Sequence, residues 1–561
     1  MDLAESEGWA IISAHLSTAH ENPTLLLAFA LPVVFLLIGL TAKAHGRLRP
    51  TSFTSGVMFA GSNPDAWDSP EPIIHACLYY DKCPTREGLE AAAKLMMDFG
   101  NYRGTVVQTG SWPRRTWGWK EITVHVPDTI SFIKVDGAKA AHEAVERIMI
   151  EDLPKVSDTQ ERRVEVDSRG DPLPLWHINV IENTAPGGES VVLVRNHHVI
   201  GDGVSLIGVI DHVMFTPEGE PLDVSGALQE LKGGSGARPK KPSVFSLMGK
   251  ALSGLVQVAL VGVSPFDSKV SLNGPSEEKL KFGPRCFVHF PNVPLDLVKK
   301  LKDAAGVTVN DIMMCVTSGA LRRHLTDRGT TPPGPLKLCA LHLGFMTAPM
   351  AGGALQLRAL LPIAMPRKIT REQRFNEGLE NVWGFASADM CVGISDIKET
   401  DSLSFIKDIT TARLRAIEGV TTGLKGSLVP WVQLGLQNNL LPFVPTSVCK
   451  QLAGDVFGRH SVVFSNVPGP PMPVAFGGQV IKRMQMLFPN IIMQIGILSY
   501  QGSLMMNCVA DARSCTPSEL RAAFLAELRA TCDAFGVNAP AKLQGIEAQC
   551  ADLDAGRPLA A

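Results

Sequence analysis

The sequence predicts a mixed α/β protein of two domains, preceded by a helix that spans a membrane. The chain has 561 residues, more than a single hydrophobic core organises. Patterns typical of strands and of helices alternate along both halves, which favours two α/β domains that share a cleft. Hydrophobic residues make up 45% of the chain and charged residues 19%, and the net charge is -2. Because no positive excess exists to neutralise a phosphate backbone, nucleic acid is excluded as the main partner.

The membrane helix is predicted at residues 25–42, which are apolar and uncharged. A helix of about 18 residues is roughly 27 Å long, enough to cross the hydrocarbon core of a bilayer. Acidic residues precede this segment and Lys43, Arg47 and Arg49 follow it, so the positive-inside rule places the rest of the chain in the cytosol. A cleaved signal peptide is the alternative, but its leader would be basic rather than acidic. We therefore expect a single-pass membrane protein with both domains in the cytosol.

The eleven cysteines are scattered from Cys77 to Cys550, and no C-x-x-C pair occurs among them. A disulfide framework or a zinc site would need closer, patterned spacing. We interpret the cysteines as free thiols in a reducing compartment, which agrees with a cytosolic location.

Composition divides the chain into five parts. Residues 1–50 hold the tail and the anchor, 51–231 the first domain, 232–285 a linker, 286–545 the second domain and 546–561 a tail. The linker begins with a basic, glycine-rich stretch at 232–243, whose low hydrophobicity is typical of a connection between domains.

Hydrophobic periodicity and cap residues place the individual elements. Runs rich in β-branched residues predict strands at 73–80, 122–126, 175–181 and 190–198, and a hairpin over 495–510 that turns at Gln501-Gly502. Amphipathic patterns predict helices at 85–99, 204–214, 294–305, 309–325 and 516–535, the last opened by a capping box at Thr516. Two further apolar stretches, 251–263 and 427–444, indicate either buried helices or a surface patch that lies on the bilayer and admits lipid.

Residues able to carry chemistry concentrate between His197 and Gly203, directly after the strand at 190–198. A histidine at a strand end can take the proton of an alcohol, because its ordinary pKa lies near neutral pH. Asp202 is spaced to fix the loop or the imidazole, and Gly203 helps to permit a tight turn. Adjacent strand residues point to opposite faces, so one of His197 and His198 is expected to be structural. A metal site is the alternative, but it lacks a third and a fourth ligand.

The segment His197-His198-Val199-Ile200-Gly201-Asp202-Gly203 resembles the H-H-x-x-x-D-G motif of the bifunctional wax ester synthase/diacylglycerol acyltransferase (WS/DGAT) family. Three more segments are similar to landmarks of that family and occur in its order. They are Pro174-Leu175-Trp176, Asn310-Asp311 with the following Ser318-Gly319-Ala320-Leu321-Arg322-Arg323, and Ser465-Asn466-Val467-Pro468-Gly469-Pro470. Each is weak alone, but four in the right order are specific, and the similarity runs from about residue 73 to 535.

The resemblance implies two domains of the chloramphenicol-acetyltransferase type with an active-site tunnel between them. It also implies an O-acyltransferase that moves a long-chain fatty acyl group from acyl-CoA to a fatty alcohol or to diacylglycerol. Acyl-CoA is then a co-substrate, no cofactor or metal is expected, and the lipid bilayer is a partner. With the N-terminal anchor, the resemblance suggests an endomembrane protein, in the endoplasmic reticulum.

The family's site residues carry over onto matching positions only. The resemblance implies that His198 is the general base and Asp202 a structural support, while His197 and Gly203 complete the motif. It assigns substrate binding to a second group of residues: Asn310, Asp311, Trp176, Ser465 and Asn466. For Trp176 and the 465–470 segment, packing at a domain interface is an equally good interpretation.

Three other functions remain open. His197 and Asp202 also satisfy the H-x-x-x-x-D pattern of glycerolipid acyltransferases, and residues 215–219 echo their F-P-E-G segment, although no arginine follows to bind a phosphate. A non-catalytic membrane protein that binds acyl lipids on the same fold is the second, but such a protein needs no base at a strand end. A peptide-forming condensation domain is the third, and it would normally lie among carrier-protein modules.

Overall fold

The computed structural model describes most of the chain after the predicted anchor. The described residues are 49–52, 55–56, 71–109, 116–153, 173–222, 282–328, 356–365, 379–392, 403–425, 427–439 and 456–559, with the single positions 254, 267, 268, 270, 272, 273, 444, 449 and 454.

Strands and helices alternate through these residues, as the sequence patterns predict. The strands are β1 (Arg49–Pro50), β2 (Ile73–Tyr80), β3 (Gly104–Thr109), β4 (Thr116–Glu121), β5 (Ile130–Val135), β6 (Trp176–Asn183), β7 (Ser190–His197), β8 (Arg285–His289), β9 (Val293–Pro294), β10 (Arg358–Ala364), β11 (Trp383–Asp389), β12 (Val462–Val467), β13 (Ala475–Phe476), β14 (Gln479–Val480), β15 (Arg483–Leu487), β16 (Met493–Tyr500) and β17 (Ser503–Asp511). The helices are α1 (Arg86–Met96), α2 (Ala138–Ile150), α3 (Gly203–Val213), α4 (Leu295–Ala305), α5 (Val309–Asp327), α6 (Leu403–Lys425), α7 (Val429–Asn439), α8 (Pro517–Ala534) and α9 (Pro540–Asp554). The prediction of a mixed α/β fold is confirmed.

Two larger sheets organise the molecule. The first has the order β15-β2-β7-β6-β5, in which only β5 and β6 run parallel. The second has the order β11-β10-β12-β16-β17-β8, with β10, β12 and β16 parallel to one another and β9 paired to the far end of β17. Smaller sheets join β1-β4-β3 and β13-β14.

The two halves of the chain interleave. Strand β15 lies inside the range predicted for the second domain, 286–545, yet it pairs with β2 of the first sheet over five residues, from Arg483 opposite Tyr79 to Leu487 opposite His75. The chain then returns at once to the second sheet through β16. The boundary predicted from composition therefore does not separate two independent sets of strands.

The long helix α5 is the centre of the second half. It is buried along almost its whole length and packs against α6 and α8, which explains its lack of a polar face. Charges in this core are paired: Glu527 of α8 accepts hydrogen bonds at 2.7 Å from Arg413 of α6 and at 2.5 Å from Arg323 of α5. Gly319 makes room for this group, since a Cβ there would come within 2.1 Å of a Glu527 carboxylate oxygen.

Most predicted elements are present within a residue or two, and two expectations were wrong. Residues 122–126 are not a strand: the pairing of β4 with β3 ends at Glu121 opposite Gly104, Ile122 N–H makes one further hydrogen bond to the Arg103 carbonyl, and Val126 begins a 3-10 turn. Thr516 occupies the N-cap position of the last predicted helix, but its side chain makes no capping hydrogen bond and its hydroxyl instead accepts a hydrogen bond from Arg328.

Two further observations concern the predicted domain limits. The predicted tail, 546–561, includes most of α9, which ion pairs tie to α8 through Arg521–Asp554 and Arg529–Glu547. Leu559 beyond this helix is buried. The second observation is that β15, from the range predicted for the second domain, pairs with β2 of the first.

The predicted membrane segment, 25–42, lies outside the described residues. Within the part of the chain that the structure describes, no single helix has the length and apolar character needed to cross a bilayer. The pair α4 and α5, bent by 97° at their junction, passes that test by length and composition only. The apolar stretch at 251–263 is outside the described residues apart from position 254, and the stretch at 427–444 contains α7.

Candidate active site

The H-H-x-x-x-D-G segment lies where β7 ends and α3 begins, and its two histidines have different surroundings. His197 is the last residue of β7 and is fully buried, with Nδ1 accepting a hydrogen bond from the Val199 backbone N–H at 3.1 Å. His198 follows the strand and is only partly buried. Its backbone N–H donates to the Pro72 carbonyl at 2.7 Å, which fixes the chain direction at this point.

The His198 ring lies between residues of the second half. Its centroid is 5.7 Å from that of Trp383, the first residue of β11, and 5.7 Å from that of Phe488, directly after β15. Burial lowers the pKa of His198, while its own carbonyl, Asp202 and Asn381 act to raise it. The net effect is a pKa below the ordinary histidine value, so the imidazole is neutral at neutral pH and able to accept a proton.

Asn381 holds the other side of the imidazole. Its Oδ1 lies 3.0 Å from His198 Nδ1, and its Nδ2 donates to the His198 carbonyl at 2.7 Å. Among the described residues no side chain or backbone group is hydrogen-bonded to Nε2, so that nitrogen is left for a substrate. Sequence reasoning missed Asn381, which lies 183 residues from His198 in a stretch without a recognisable motif.

Asp202 is the N-cap of α3 and also reaches across to the second half. One carboxylate oxygen accepts from Ser205 N at 3.0 Å, and the other accepts from Val382 N at 2.9 Å. Ser205 Oγ donates to the Glu380 carbonyl at 2.8 Å. The carboxylate therefore shapes the loop that carries His198 and attaches it to the segment that carries Asn381.

The remaining predicted residues fall into two groups. Asn310 is half-buried at the start of α5, and its Oδ1 lies 3.4 Å from Nδ2 of the exposed Asn466 on β12, next to the half-buried Ser465. The end of β12 approaches the start of α3, since a Cβ on Gly203 would lie 4.0 Å from Val467 Cγ2. The structure thus brings Asn310, Asn466 and Ser465 to the side of the molecule where α3 begins.

Asp311 and Trp176 are both buried in the fold. Asp311 is buried and forms a capping box with Thr308, and it also accepts a hydrogen bond from Thr421 at 2.7 Å. Trp176 is 1% exposed, and its indole N–H donates to the Tyr102 carbonyl at 2.9 Å within the core of the first half. Both side chains therefore have structural contacts, and the substrate-binding role that the resemblance implied for them stays a prediction.

Aromatic side chains extend away from His198 along β11. Trp383 contacts Phe385 at 4.7 Å between ring centroids, and Phe385 contacts Phe457 at 5.9 Å. Leu360 and Val463 on the neighbouring strands β10 and β12 belong to the same apolar cluster as Phe385 and Phe457. These side chains give the surroundings of the histidine an apolar wall on the second sheet.

Helix α7 covers the free edge of that sheet. Gln433 Oε1 accepts a hydrogen bond from the Phe385 N–H at 2.8 Å, and Gly384 allows the Pro430 backbone to approach. The outer side of the helix presents Trp431, which is 49% exposed. Helix α7 therefore has a face packed against the second sheet, and the surface patch expected for this apolar stretch stays a prediction.

The alternative chemistries find less support in these contacts. In a glycerolipid acyltransferase of the H-x-x-x-x-D type, His197 would have to act as the base. Its ring is buried in the first sheet. Residues 215–219 form a turn at the opposite end of α3, which at 11 residues is roughly 16 Å long. No cluster of three or more His, Cys, Asp or Glu side chains that could hold a metal ion occurs within the described residues.

Comparisons with known proteins agree with the motifs. Residues 402–531 match the family model of the WS/DGAT C-terminal domain. The chain is 24% identical over 357 residues to a putative diacylglycerol O-acyltransferase of Mycobacterium tuberculosis, covering 59% of this chain and 62% of that protein. It is 30% identical over 327 residues to another from the same species, covering 54% of this chain and 61% of the relative. A wax ester synthase/diacylglycerol acyltransferase of Arabidopsis thaliana is 22% identical and is covered over 68% of its length.

One solved structure shows the same type of fold. A trichothecene 15-O-acetyltransferase from Fusarium sporotrichioides superimposes with a TM-score of 0.50 at 11% identity, covering 87% of this chain and 95% of that one. The wax ester synthase/diacylglycerol acyltransferase from Marinobacter aquaeolei VT8 gives a TM-score of 0.47 at 14% identity, covering 87% of this chain and 100% of that one. The alignments with the mycobacterial relatives span about three fifths of their length. The similarity to the family that the motifs indicated is confirmed.

Proposed function

We propose that this chain, a relative of the wax ester synthase/diacylglycerol acyltransferases, is an O-acyltransferase that moves a long-chain acyl group from acyl-CoA to the hydroxyl of a fatty alcohol or of diacylglycerol. The observation that carries the proposal is the protonation and the hydrogen bonding of the His198 ring. His198 is a neutral, partly buried histidine between the two halves, with Nδ1 occupied and Nε2 without a partner among the described residues. Such a group is a general base ready for an alcohol.

The reaction follows from that geometry. His198 Nε2 takes the hydroxyl proton of the acceptor as its oxygen attacks the carbonyl carbon of the thioester. When the tetrahedral intermediate collapses, the carbon–sulfur bond breaks and the imidazolium returns the proton to the leaving thiolate, giving CoA and a neutral ester. The amide groups of Asn310 and Asn466 supply dipoles that stabilise the oxyanion. No redox or metal chemistry is needed, so acyl-CoA is the co-substrate and a cofactor has no step to perform.

The acyl chain and the acceptor occupy an inter-domain tunnel, and the aromatic wall of Trp383, Phe385 and Phe457 gives an apolar chain a place to lie beside His198. Apolar surroundings of this kind discriminate weakly between a fatty alcohol and diacylglycerol, because both carry a hydroxyl on a hydrophobic body. This supports activity with both classes of acceptor. Trp431 on α7, outside the same edge of the sheet, suits contact with a lipid surface, where tryptophan is favoured.

The location of the protein belongs to the same proposal. The apolar segment at 25–42 anchors the chain in a membrane, the endoplasmic reticulum, and the acyltransferase halves lie in the cytosol. Substrates and product are lipids that partition into the bilayer, so an anchor keeps the enzyme where they are.

The test is acyl transfer by membranes that contain the full chain. Labelled palmitoyl-CoA is supplied with hexadecanol or with diacylglycerol, and the neutral lipids are separated. We expect ester from the wild type and a loss of about 10²- to 10⁴-fold in His198→Ala, the usual contribution of a general base. His212→Gln is the matched control, because His212 lies at the far end of α3 in contact with Asp98 and should leave the rate unchanged.

The two outcomes separate the functions. Ester formation that depends on His198 establishes the acyltransferase, and the acceptor consumed identifies its class. A folded wild type that makes no ester from either acceptor but retains labelled acyl lipid would instead support the non-catalytic lipid-binding protein.

A further inference from the structure

Asn381 lies two residues before the start of β11 and against the candidate base. It is 1% exposed, and within the described residues its side chain forms hydrogen bonds with the His198 loop, with Trp383 and with Ser55. We infer that Asn381 is a positioning residue that holds His198 in the tautomer with the proton on Nδ1 and so leaves Nε2 as the base. This inference rests on the proposed acyl transfer for its kinetic consequence, but the tautomer itself is a property of the protein alone.

The orientation of the Asn381 amide is fixed from both of its ends. Nδ2 faces the carbonyl oxygens of His198 at 2.7 Å and Val199 at 3.3 Å, which can only accept. The other atom, Oδ1, faces the indole N–H of Trp383 at 3.3 Å, and that group can only donate. A flipped amide would set two acceptors against an oxygen and one donor against an NH₂ group. The assignment of Oδ1 and Nδ2 therefore does not depend on the choice usually left open for an amide.

The orientation of the amide decides the tautomer. Oδ1 of Asn381 has no hydrogen to offer, so the 3.0 Å contact with His198 is a hydrogen bond only when Nδ1 carries the proton. The other neutral tautomer would place the Nδ1 lone pair against that oxygen. His198's own carbonyl accepts from the same side of the ring and favours the same form. With Nδ1 protonated and the ring neutral, the remaining lone pair is on Nε2.

The segment that carries Asn381 is held firmly enough to act in this way. Asn101 bridges it to the His198 loop, accepting from Leu379 N at 3.2 Å and donating to the carbonyls of Leu379 and Ile200 at 2.9 and 2.7 Å. Asp202 and Ser205 bind the backbone of residues 380 and 382 on either side of Asn381. Because the segment is tied at three neighbouring residues, 379, 380 and 382, the distance from Asn381 Oδ1 to His198 Nδ1 is set by the fold.

Two substitutions separate the roles of shape and hydrogen bonding. Asn381→Leu keeps the approximate volume but removes the acceptor, so both tautomers become populated and kcat should fall several-fold, by less than the full contribution of a general base, with KM little changed. Asn381→Asp keeps an acceptor for Nδ1–H and adds a negative charge beside the ring, although its second oxygen then faces the His198 and Val199 carbonyls and lowers stability. It should retain more activity than the leucine variant, with the acid limb of the kcat/KM profile moved to higher pH. Asp202 is the other charged group whose field acts on His198, and it is unchanged in both variants.

Asn273→Leu is the matched control. Asn273 is also a buried asparagine whose amide is bonded at both ends, donating to the Ser461 carbonyl at 2.8 Å and accepting from Met493 N at 2.7 Å. Its replacement should lower stability by a similar amount and leave the pH profile of the enzyme unchanged. An Asn381→Asp variant with the wild-type pH profile, or an Asn381→Leu variant with wild-type kcat, would overturn the inference.

A second measurement is independent of enzymatic activity. Nitrogen-15 NMR of the histidine-labelled protein distinguishes a protonated ring nitrogen from one with a lone pair, and the His198→Gln spectrum identifies the His198 signals. We expect Nδ1 protonated and Nε2 unprotonated in the wild type, and a mixture of tautomers in Asn381→Leu. If the spectrum of the wild type shows the proton on His198 Nε2, the inference is refuted even if the protein forms ester. The expected tautomer in a protein that makes no ester would refute only the proposed function.

Discussion

Replacing Asp202 should loosen the loop that carries His198, and the structure sets the size of the effect. Asp202→Ala removes the N-cap of α3, a loss of about 1 kcal/mol in the free energy of unfolding. It also leaves the Val382 N–H without its acceptor in a partly buried place, which costs about 1–3 kcal/mol more. We therefore expect a destabilisation of about 2–4 kcal/mol. Activity should fall as well, because the same carboxylate ties the loop to the Asn381 segment.

The assay is urea denaturation followed by circular dichroism, with acyl transfer measured below the transition. Asp202→Asn keeps a good cap but presents an NH₂ group to one of the two N–H donors, so it should lose about 1–3 kcal/mol. Thr85→Ala is the control for a cap alone, since Thr85 Oγ1 accepts only from Gly88 N at 3.2 Å at the exposed start of α1. It should cost about 1 kcal/mol and leave activity intact.

The comparison refutes the reasoning in either of two ways. If Asp202→Ala is no less stable than Thr85→Ala, the bond to Val382 contributes nothing and the two segments are held by other contacts. If Asp202→Ala loses the stability expected but keeps the full rate, the loop does not need this carboxylate to position His198.

Three further predictions concern pH, the sheet edge and the core of the second half. Because burial lowers the pKa of His198, the rate should fall only when pH drops through a value below the ordinary histidine pKa, and a kcat/KM profile with its acid limb above 6.5 would contradict this. Gln433→Leu leaves the Phe385 N–H unpaired at the edge of β11, so the amide should exchange faster with solvent and stability should drop by about 1–3 kcal/mol in urea denaturation. Glu527→Ala leaves the Arg413 guanidinium buried without its carboxylate and should cost about 3–5 kcal/mol, measured in the same way, and an unchanged midpoint would show that this ion pair is dispensable.

Local chemistry explains what the sequence could predict. The segment from His197 to Gly203 is short, and a strand end, a glycine turn and a helix N-cap are all visible in neighbouring residues. The strand and the helix that flank it were therefore placed within a residue or two. The same holds for the turn at Gln501-Gly502, where both residues adopt positive φ angles between β16 and β17.

Long-range contacts explain what the sequence could not predict. Asn381 acts through an acceptor that meets His198 only after the chain has folded, and a lone asparagine carries no local signal of that role. The motif also gave no indication of the buried indole hydrogen bond of Trp176 or of the capping box of Asp311, because both depend on contacts within the folded chain.

The arrangement around His198 also explains why the two halves interleave. The base comes from the first sheet, its hydrogen-bond partner Asn381 precedes β11 of the second sheet, and Phe488 on its other side follows β15. Strand β15 is built into the first sheet beside β2, so Phe488 is carried to His198 by five paired residues rather than by a free loop. The proposed acyl-transfer site thus takes residues from both halves, and the exchanged strand β15 attaches the second half to the first sheet beside His198.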